Sequence, residues 1–347
     1  MSGVEHRTVG DDEAEQRLDR WFRRHFPHLG QGRLEKLCRR GEIRVDGGRV
    51  RAATRISPGQ VVRVPPLPEP DAAEPPRSPA KAEAAPDPGL AETLRAAVLD
   101  RDDHVIALNK PPGLAVQGGT GQRTHLAGAL AALRFGRDDD PRLVHRLDRD
   151  TSGVLLLART GAAAVTLARA FRSRAVEKLY LALVAGRPRP AFGTVHYALV
   201  KGRGPGGGER MKILHPDEAA TVEGAQSART DYRVIDSAAG RASVVALRPV
   251  TGRTHQLRAH MAALGAPIVG DGKYGGRSQE NLGDGWGANL GQGISRKLHL
   301  HAWRLTLPHP VTGRPLTFSA PLPDHMARSW SLFGWDPEAT PAAPFED

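Results

Sequence analysis

Residues 67–92 constrain the architecture of this chain more than any other segment. From Pro65 to Glu92 there are nine prolines set among Ala, Glu and Asp, and apolar residues follow no period. Proline fixes φ and withholds a backbone donor, and without an apolar face nothing offsets the entropy of ordering such a stretch. The segment reads as an extended tether. It divides the 347 residues into a small module at 15–66, a large module at 93–325 and a polar tail at 326–347.

In the small module, Leu18, Trp21, Phe22 and Phe26 fall at helical spacing and Pro27 stops the run. A second short helix follows, with Leu34, Leu37 and Cys38 on its apolar stripe and Gly41 as its stop signal. Ile43–Asp46 and Arg49–Arg51 flank a Gly47-Gly48 turn as a hairpin, and Val61–Val64 adds a strand. Residues 15–66 hold 13 Lys or Arg against five Asp or Glu, most of the chain's formal +11. Compositional drift would spread an arginine excess evenly, so the clustering points to a phosphate-binding surface. Arg33, Lys36, Arg39 and Arg40 largely share one side of the second helix.

The large module mixes strand-length apolar runs, Val105–Leu108, Val154–Leu157, Leu179–Val184 and Ala242–Leu247, with few helices. Thr160 caps a predicted helix that runs to about Phe171 with Leu167 on the same face. This order is neither a regular βαβ repeat nor a sandwich, so the predicted class is α+β with a mixed, largely antiparallel sheet. The Gly-rich stretches at 202–208 and 283–293 read as surface loops, and 277–293 as an insertion. Cys38 is the single cysteine, which rules out an intrachain disulfide and a Cys-rich zinc site. No apolar run is long enough for a membrane span, and the N-terminus lacks an apolar signal core, so a cytoplasmic location is expected.

The segment richest in chemistry is His145-Arg146-Leu147-Asp148-Arg149-Asp150-Thr151-Ser152-Gly153, which leads into the strand at Val154. A carboxylate set between two arginines at a strand entrance can act as a nucleophile or base. The same residues can also form a structural Asp–Arg network around a turn. The longer stretch RLVHRLDRDTSGVLLLART (142–160) resembles, almost residue by residue, the catalytic motif of the RluA-type pseudouridine synthase family. Four more segments are similar to that family in order and rough spacing. They are VIALNKPPGLAVQGG (105–119), EKLYLALVAG (177–186), RPVTGRTHQLRAHMAALGAPIVGDGKYG (248–275) and LHLHAWRLTLPHPVTG (298–313). In the small module, GRLEKLCRRGEIRVDGGRV (32–50) resembles an S4 RNA-binding domain.

The resemblance implies an isomerase with the pseudouridine synthase fold that converts specific uridines of 23S ribosomal RNA to pseudouridine and needs no cofactor or metal. Asp148 matches the family's essential carboxylate and Arg258 the arginine that pairs with it. Tyr180 matches the residue that stacks on the flipped uracil, Leu257 the apolar side of the base pocket, and Arg146 the arginine that meets RNA around the extruded nucleotide. Arg253 and His255 are either structural or phosphate contacts. Lys110, Arg149, Lys178 and Lys201 are candidates for gripping the sugar-phosphate backbone. The N-terminal module is most similar to the RluC-like subgroup, with an RluD-like set of sites as its competitor. A monomer acting on ribosomal RNA, free or in an assembly intermediate, is expected. The rival readings are a synthase for another RNA, a catalytically inactive ribosome-assembly factor and a DNA-binding protein.

Overall fold

The computed structural model describes residues 3–10, 13, 16–67, 88–118, 124–173, 175–204, 209–275, 294–337, 340–341 and 343–345. The chain forms two compact units, Met1–Ala84 and Ala85–Asp347.

The first unit comprises β1 (Glu5–Thr8), α1 (Leu18–His25), α2 (Gln31–Arg40), β2 (Arg44–Val45), β3 (Gly48–Arg49) and β4 (Val61–Val64). Its sheet runs β1-β4-β2-β3. Leu18, Trp21 and Phe22 from α1 and Leu34 and Cys38 from α2 pack with Ile43, Ile56 and Val62 into one core. Gly41 ends α2 in the left-handed conformation at φ 71°, which only glycine adopts without strain. The unit starts earlier than position 15, because β1 pairs with β4 from Glu5↔Val64 to Thr8↔Val61. Four residues carrying one weak alternation gave no strand signal on their own.

The second unit contains α3 (Pro88–Ala96), β5 (Val98–Arg101), β6 (Val105–Lys110), a 3-10 helix (Leu126–Leu133), β7 (Arg142–Leu143), β8 (Ser152–Ala158), α4 (Gly161–Ser173) and β9 (Glu177–Ala185). There follow β10 (Phe192–Arg203), β11 (Glu209–Leu214), α5 (Pro216–Ala219), β12 (Gln226–Ala238), β13 (Ala242–Pro249), α6 (Gln256–Ala263), β14 (Leu300–Pro308), β15 (Pro315–Ser319) and α7 (Asp324–Leu332). Eleven strands form one sheet in the order β11-β10-β12-β13-β9-β14-β8-β6-β5, with β15 beside β14 and β7 beside β8. Every pairing is antiparallel except β14 with β8. The α+β class and the mixed, largely antiparallel sheet are therefore as the sequence indicated.

Both faces of the central strands are buried, which is why they read as unbroken apolar runs. Val154 and Leu156 of β8 meet Ala163 and Leu167 of α4 on one face. Leu155 and Leu157 meet Leu94 of α3 and Leu126 and Leu133 on the other. Thr160 caps α4 by accepting a hydrogen bond from the Ala163 N–H.

Two boundaries differ from the sequence reading. Pro88–Glu92, assigned there to the tether, is helical in α3, a place where proline at a helix start is well tolerated. Residues 326–332, assigned to a polar tail, belong to α7, whose Met326 and Trp330 are buried against Leu183 and Val244. Those two large residues sit one helical turn apart among polar neighbours, a pattern too short to stand out. The rest of the tether, the loop at 205–208 and the insertion at 277–293 lie outside the described residues. Among the described residues no helix is long and apolar enough to cross a membrane.

Candidate active site

Asp148 lies in the turn between β7 and β8, and its partner groups arrive on β9 and α6. Two features fix this turn. Thr151 N–H donates to the Asp148 carbonyl. Gly153 then adopts φ 107°, and a Cβ there would run into the Ala302 carbonyl on the neighbouring parallel strand β14. Only glycine lets β8 approach β14 that closely directly after the turn.

The turn is also held from below. Lys110, at the end of β6, is fully buried and donates to the carbonyls of Pro111 (2.8 Å), Leu114 (2.9 Å) and Arg149 (3.0 Å). Three donated bonds use all three N–H groups of an ammonium. Burial pushes its pKa down to about 7, against the attraction of Asp150 and Asp148. Lys110 therefore braces the Asp148 turn and is not available to grip RNA, as the sequence had allowed.

Arg258 comes from the first turn of the buried helix α6, and its side chain is 5% exposed. Its Nη1 stands 3.8 Å from Asp148 Oδ2. Its closer partner is Asp271, fully buried, which accepts from Arg258 Nε and Nη2 at 2.7 Å each and from the backbone N–H groups of Lys273 and Tyr274. Burial disfavours the guanidinium charge, but Asp271 and then Asp148 outweigh it and hold the pKa above its ordinary range. Gly270 places Asp271. A Cβ at Gly270 would collide with the Lys297 carbonyl, and its φ is 75°.

His255 precedes α6 in the left-handed conformation at φ 53°. The loop that imposes this is fastened by Gln256, whose Oε1 accepts from Thr251 Oγ1 and the Arg253 N–H while its Nε2 donates to Arg229 O and Thr230 Oγ1. His255 Nδ1 lies 3.0 Å from Tyr274 Oη, and that oxygen already accepts from the Met211 N–H. Burial raises the Tyr274 pKa, so its hydroxyl keeps its proton and donates to Nδ1. The imidazole proton then sits on Nε2, which is 4.0 Å from Asp148 Oδ2. Burial also lowers the His255 pKa and favours that neutral ring.

Tyr180 and Leu257 wall the space above Asp148. A cavity of about 280 Å³ is lined by Asp148, Arg146, Tyr180, Leu257 and Arg258, the five residues that the family resemblance singled out, together with His145 and Lys178. The Tyr180 ring is packed between two apolar clusters, and its hydroxyl has no hydrogen-bond partner among the described residues. Burial, with Asp148 adding to it, pushes the phenol pKa well up, so this group is a proton donor over the ordinary pH range. His145 stacks on Phe171 at 4.4 Å, and its Nε2 accepts from the Leu156 N–H. Burial takes its pKa down to about 3, so this ring is neutral.

Arg146 is exposed beside Asp148 and lines a second groove of about 540 Å³ with Arg149, Asp150 and Glu209. In the other unit, Arg33, Lys36, Arg39 and Arg40 are all exposed on α2, opposite Leu34 and Cys38. Sequence reasoning missed Asp271 and Tyr274 and left His255 undecided. The only local signal for Asp271 was an acid between two glycines directly after the apolar pair Ile268-Val269. Among the described residues no three His, Cys, Asp or Glu side chains are grouped to hold a metal ion.

Comparison with known proteins adds to this geometry. Residues 104–263 match the family described as RNA pseudouridylate synthase. The chain is 35% identical over 326 residues to ribosomal large subunit pseudouridine synthase C of Escherichia coli strain K12, covering 92% of this chain and 94% of that protein. It is 33% identical over 331 residues to the protein of the same name from Haemophilus influenzae, covering 94% of each. Among solved structures, human RNA pseudouridylate synthase domain containing 4 superposes with a TM-score of 0.57 at 30% identity, over 71% of this chain and 95% of that one.

Proposed function

The chain belongs to the RNA pseudouridylate synthase family, and from that premise we propose that it converts uridines of large-subunit ribosomal RNA to pseudouridine with Asp148 as its essential carboxylate. The RNA is inferred from the names its relatives carry, which also favour the RluC-like subgroup.

The reaction breaks the bond between ribose C1′ and uracil N1 and forms one between C1′ and C5. The C5 proton is lost and N1 ends protonated, so atoms and electrons balance within the substrate. The chemistry needed is a group that stabilises or bonds the reacting ribose or base, a pocket that holds the freed uracil while it turns, and a route for one proton. Asp148 supplies the first. Tyr180 and Leu257 supply an apolar slot, and the Tyr180 hydroxyl is a proton carrier without a hydrogen-bond partner among the described residues. Arg258 Nη1 and the His255 Nε2 proton flank Asp148 and keep a negative charge there balanced.

The observation that carries the reading is that Asp148 and Tyr180 line one cavity, with Asp148 3.8 Å from a buried guanidinium. A base that reaches Asp148 in this cavity cannot stay stacked in a duplex, so the target must leave its stack, at about a few kcal/mol of lost stacking. We assign the offset to phosphate contacts by Arg146 at the site and by Arg33, Lys36, Arg39 and Arg40 on α2. The first unit then acts as an RNA-binding module of S4 type.

The reading is tested by incubating the purified chain with a 23S ribosomal RNA transcript, adding no cofactor, and mapping pseudouridine chemically. Discrete new sites are expected. A transcript that is bound in a salt-sensitive way but stays unmodified would contradict the assignment.

A further inference from the structure

Lys178 is a cation with no anionic partner among the described residues. It lies on β9 two residues before Tyr180, so both side chains leave the same face of the strand, about 7 Å apart along it. Its Nζ has no hydrogen bond or ion pair among the described residues, and no carboxylate offsets the burial that lowers its pKa. Nζ stands over the face of Phe171, 5.8 Å from the ring centre. Retaining a half-buried ammonium unpaired is unfavourable for the folded protein, and a purely structural position would favour an apolar or paired residue.

The surroundings indicate what completes the pair. Lys178 lines the catalytic cavity and also a groove of about 630 Å³ that continues from it through Phe171, Thr251 and Gly252. Arg172 and Arg253 are exposed along this groove, and among the described residues Glu177 is the only acid that lines it. Arg253 is anchored through Nε to the Ser227 carbonyl, which leaves its terminal nitrogens for another acceptor. The groove on the other side of Asp148 differs, because Asp150 and Glu209 line it among its cations. A polyanionic strand that crosses the site therefore meets the stronger positive field on the Lys178 side.

We propose that Lys178 is a phosphate seat: its ammonium takes a phosphodiester of the RNA next to the target nucleotide, where the strand leaves the cavity for the groove flanked by Arg172 and Arg253. This rests on the RNA-modifying reading of the same site. The seat fixes the backbone one nucleotide's length from Tyr180, so that the base is held in place while the glycosidic bond is broken and remade. Lys178 is thus a binding residue of the substrate strand, distinct in role from the groups around Asp148.

The test uses the full chain as wild type, Lys178→Gln and Lys178→Arg with a 23S transcript. Binding affinity and kcat/KM are each measured across a salt series. For Lys178→Gln the transcript's KM should rise roughly tenfold, the factor for one charged hydrogen bond, with kcat at saturation nearly kept. The slope of log affinity against log salt should flatten by about 0.7–0.9, the value for one phosphate contact. Lys178→Arg should restore both, and the melting temperature of Lys178→Gln should equal or exceed that of the wild type. An unchanged salt slope in Lys178→Gln would overturn the seat, as would a fall in kcat with KM unaltered, which would place Lys178 on the base. If the wild type forms no pseudouridine, the catalytic reading fails instead, and the binding slopes still decide the role of Lys178.

Discussion

Arg258 gives its two parallel hydrogen bonds to Asp271, at 2.7 Å each, and presents only Nη1 to Asp148, 3.8 Å away. A guanidinium gripped at Nε and Nη2 has lost its freedom to turn, so Asp271 decides where the remaining donor points. Asp271→Asn should keep the fold but lower kcat by roughly 10- to 100-fold, the scale for an ångström of misplacement near a reacting group. Asp271→Ala leaves the buried cation unpaired and should destabilise the protein by about 3–5 kcal/mol. Single-turnover kinetics and thermal melts check both. Wild-type kcat in Asp271→Asn would show that Arg258 needs no such clamp.

Tyr180 offers a hydroxyl with no hydrogen-bond partner among the described residues and a pKa raised first by burial. Tyr180→Phe keeps the slot and removes the proton carrier, so RNA binding should persist while kcat falls by about 10²–10⁴-fold, the range for a general acid–base group. Because the phenol stays protonated, the wild type should show no loss of rate from its ionisation below about pH 10. A basic limb that disappears in Tyr180→Phe would contradict this.

Lys110 should matter to stability more than to RNA binding. Lys110→Met strips the donor from three carbonyls, including that of Arg149 beside Asp148. A loss of about 1–3 kcal/mol is expected, the range for unsatisfied buried acceptors, with unchanged salt dependence of RNA binding. Denaturant melts measure the first and binding isotherms the second. A flattened salt slope would return Lys110 to the RNA-contacting residues.

Much of this site was legible in the sequence, and the remainder shows what a single chain does not display. The turn at Asp148 and the strands that carry it stand out because apolar runs buried on both faces and a glycine at a forced left-handed position leave local marks. The five residues inferred from the family resemblance do line one cavity. The choice of Asp271 as the closer partner of Arg258 is a tertiary event between a helix and a loop, with no local signature at either end. Lys110 looked like any surface lysine because burial of its long stem depends on the packing of β6 against β8. The hairpin of β10 and β11 was hidden by the Gly-rich stretch within it, and α7 by two lone apolar residues.

The fold should weaken in mild acid. Burial takes His145 down to about 3 and His260, His299 and His301 to about 4, whereas in the unfolded chain each titrates near ~6.5. Between these values the unfolded chain binds more protons than the folded one, so stability is fully present above about pH 6.5 and is lost as pH falls towards 4. His301 is held between Ser152 Oγ and the Ala320 carbonyl, contacts that glutamine can approximate. His301→Gln should therefore reduce the pH slope of unfolding free energy by about one proton. A melting temperature that is flat from pH 6.5 to 4.5 would be incompatible with these buried neutral rings.

The most direct measurement is pseudouridine formed per transcript at a saturating excess of 23S RNA, for wild type and Asp148→Asn, alongside RNA affinity. Asn keeps the shape of the side chain and removes the charge beside Arg258 and His255. The wild type should modify defined uridines through many turnovers, and Asp148→Asn should bind the transcript equally well and form no pseudouridine at those positions. Comparable product from the two proteins would contradict the role of Asp148 as the reacting carboxylate.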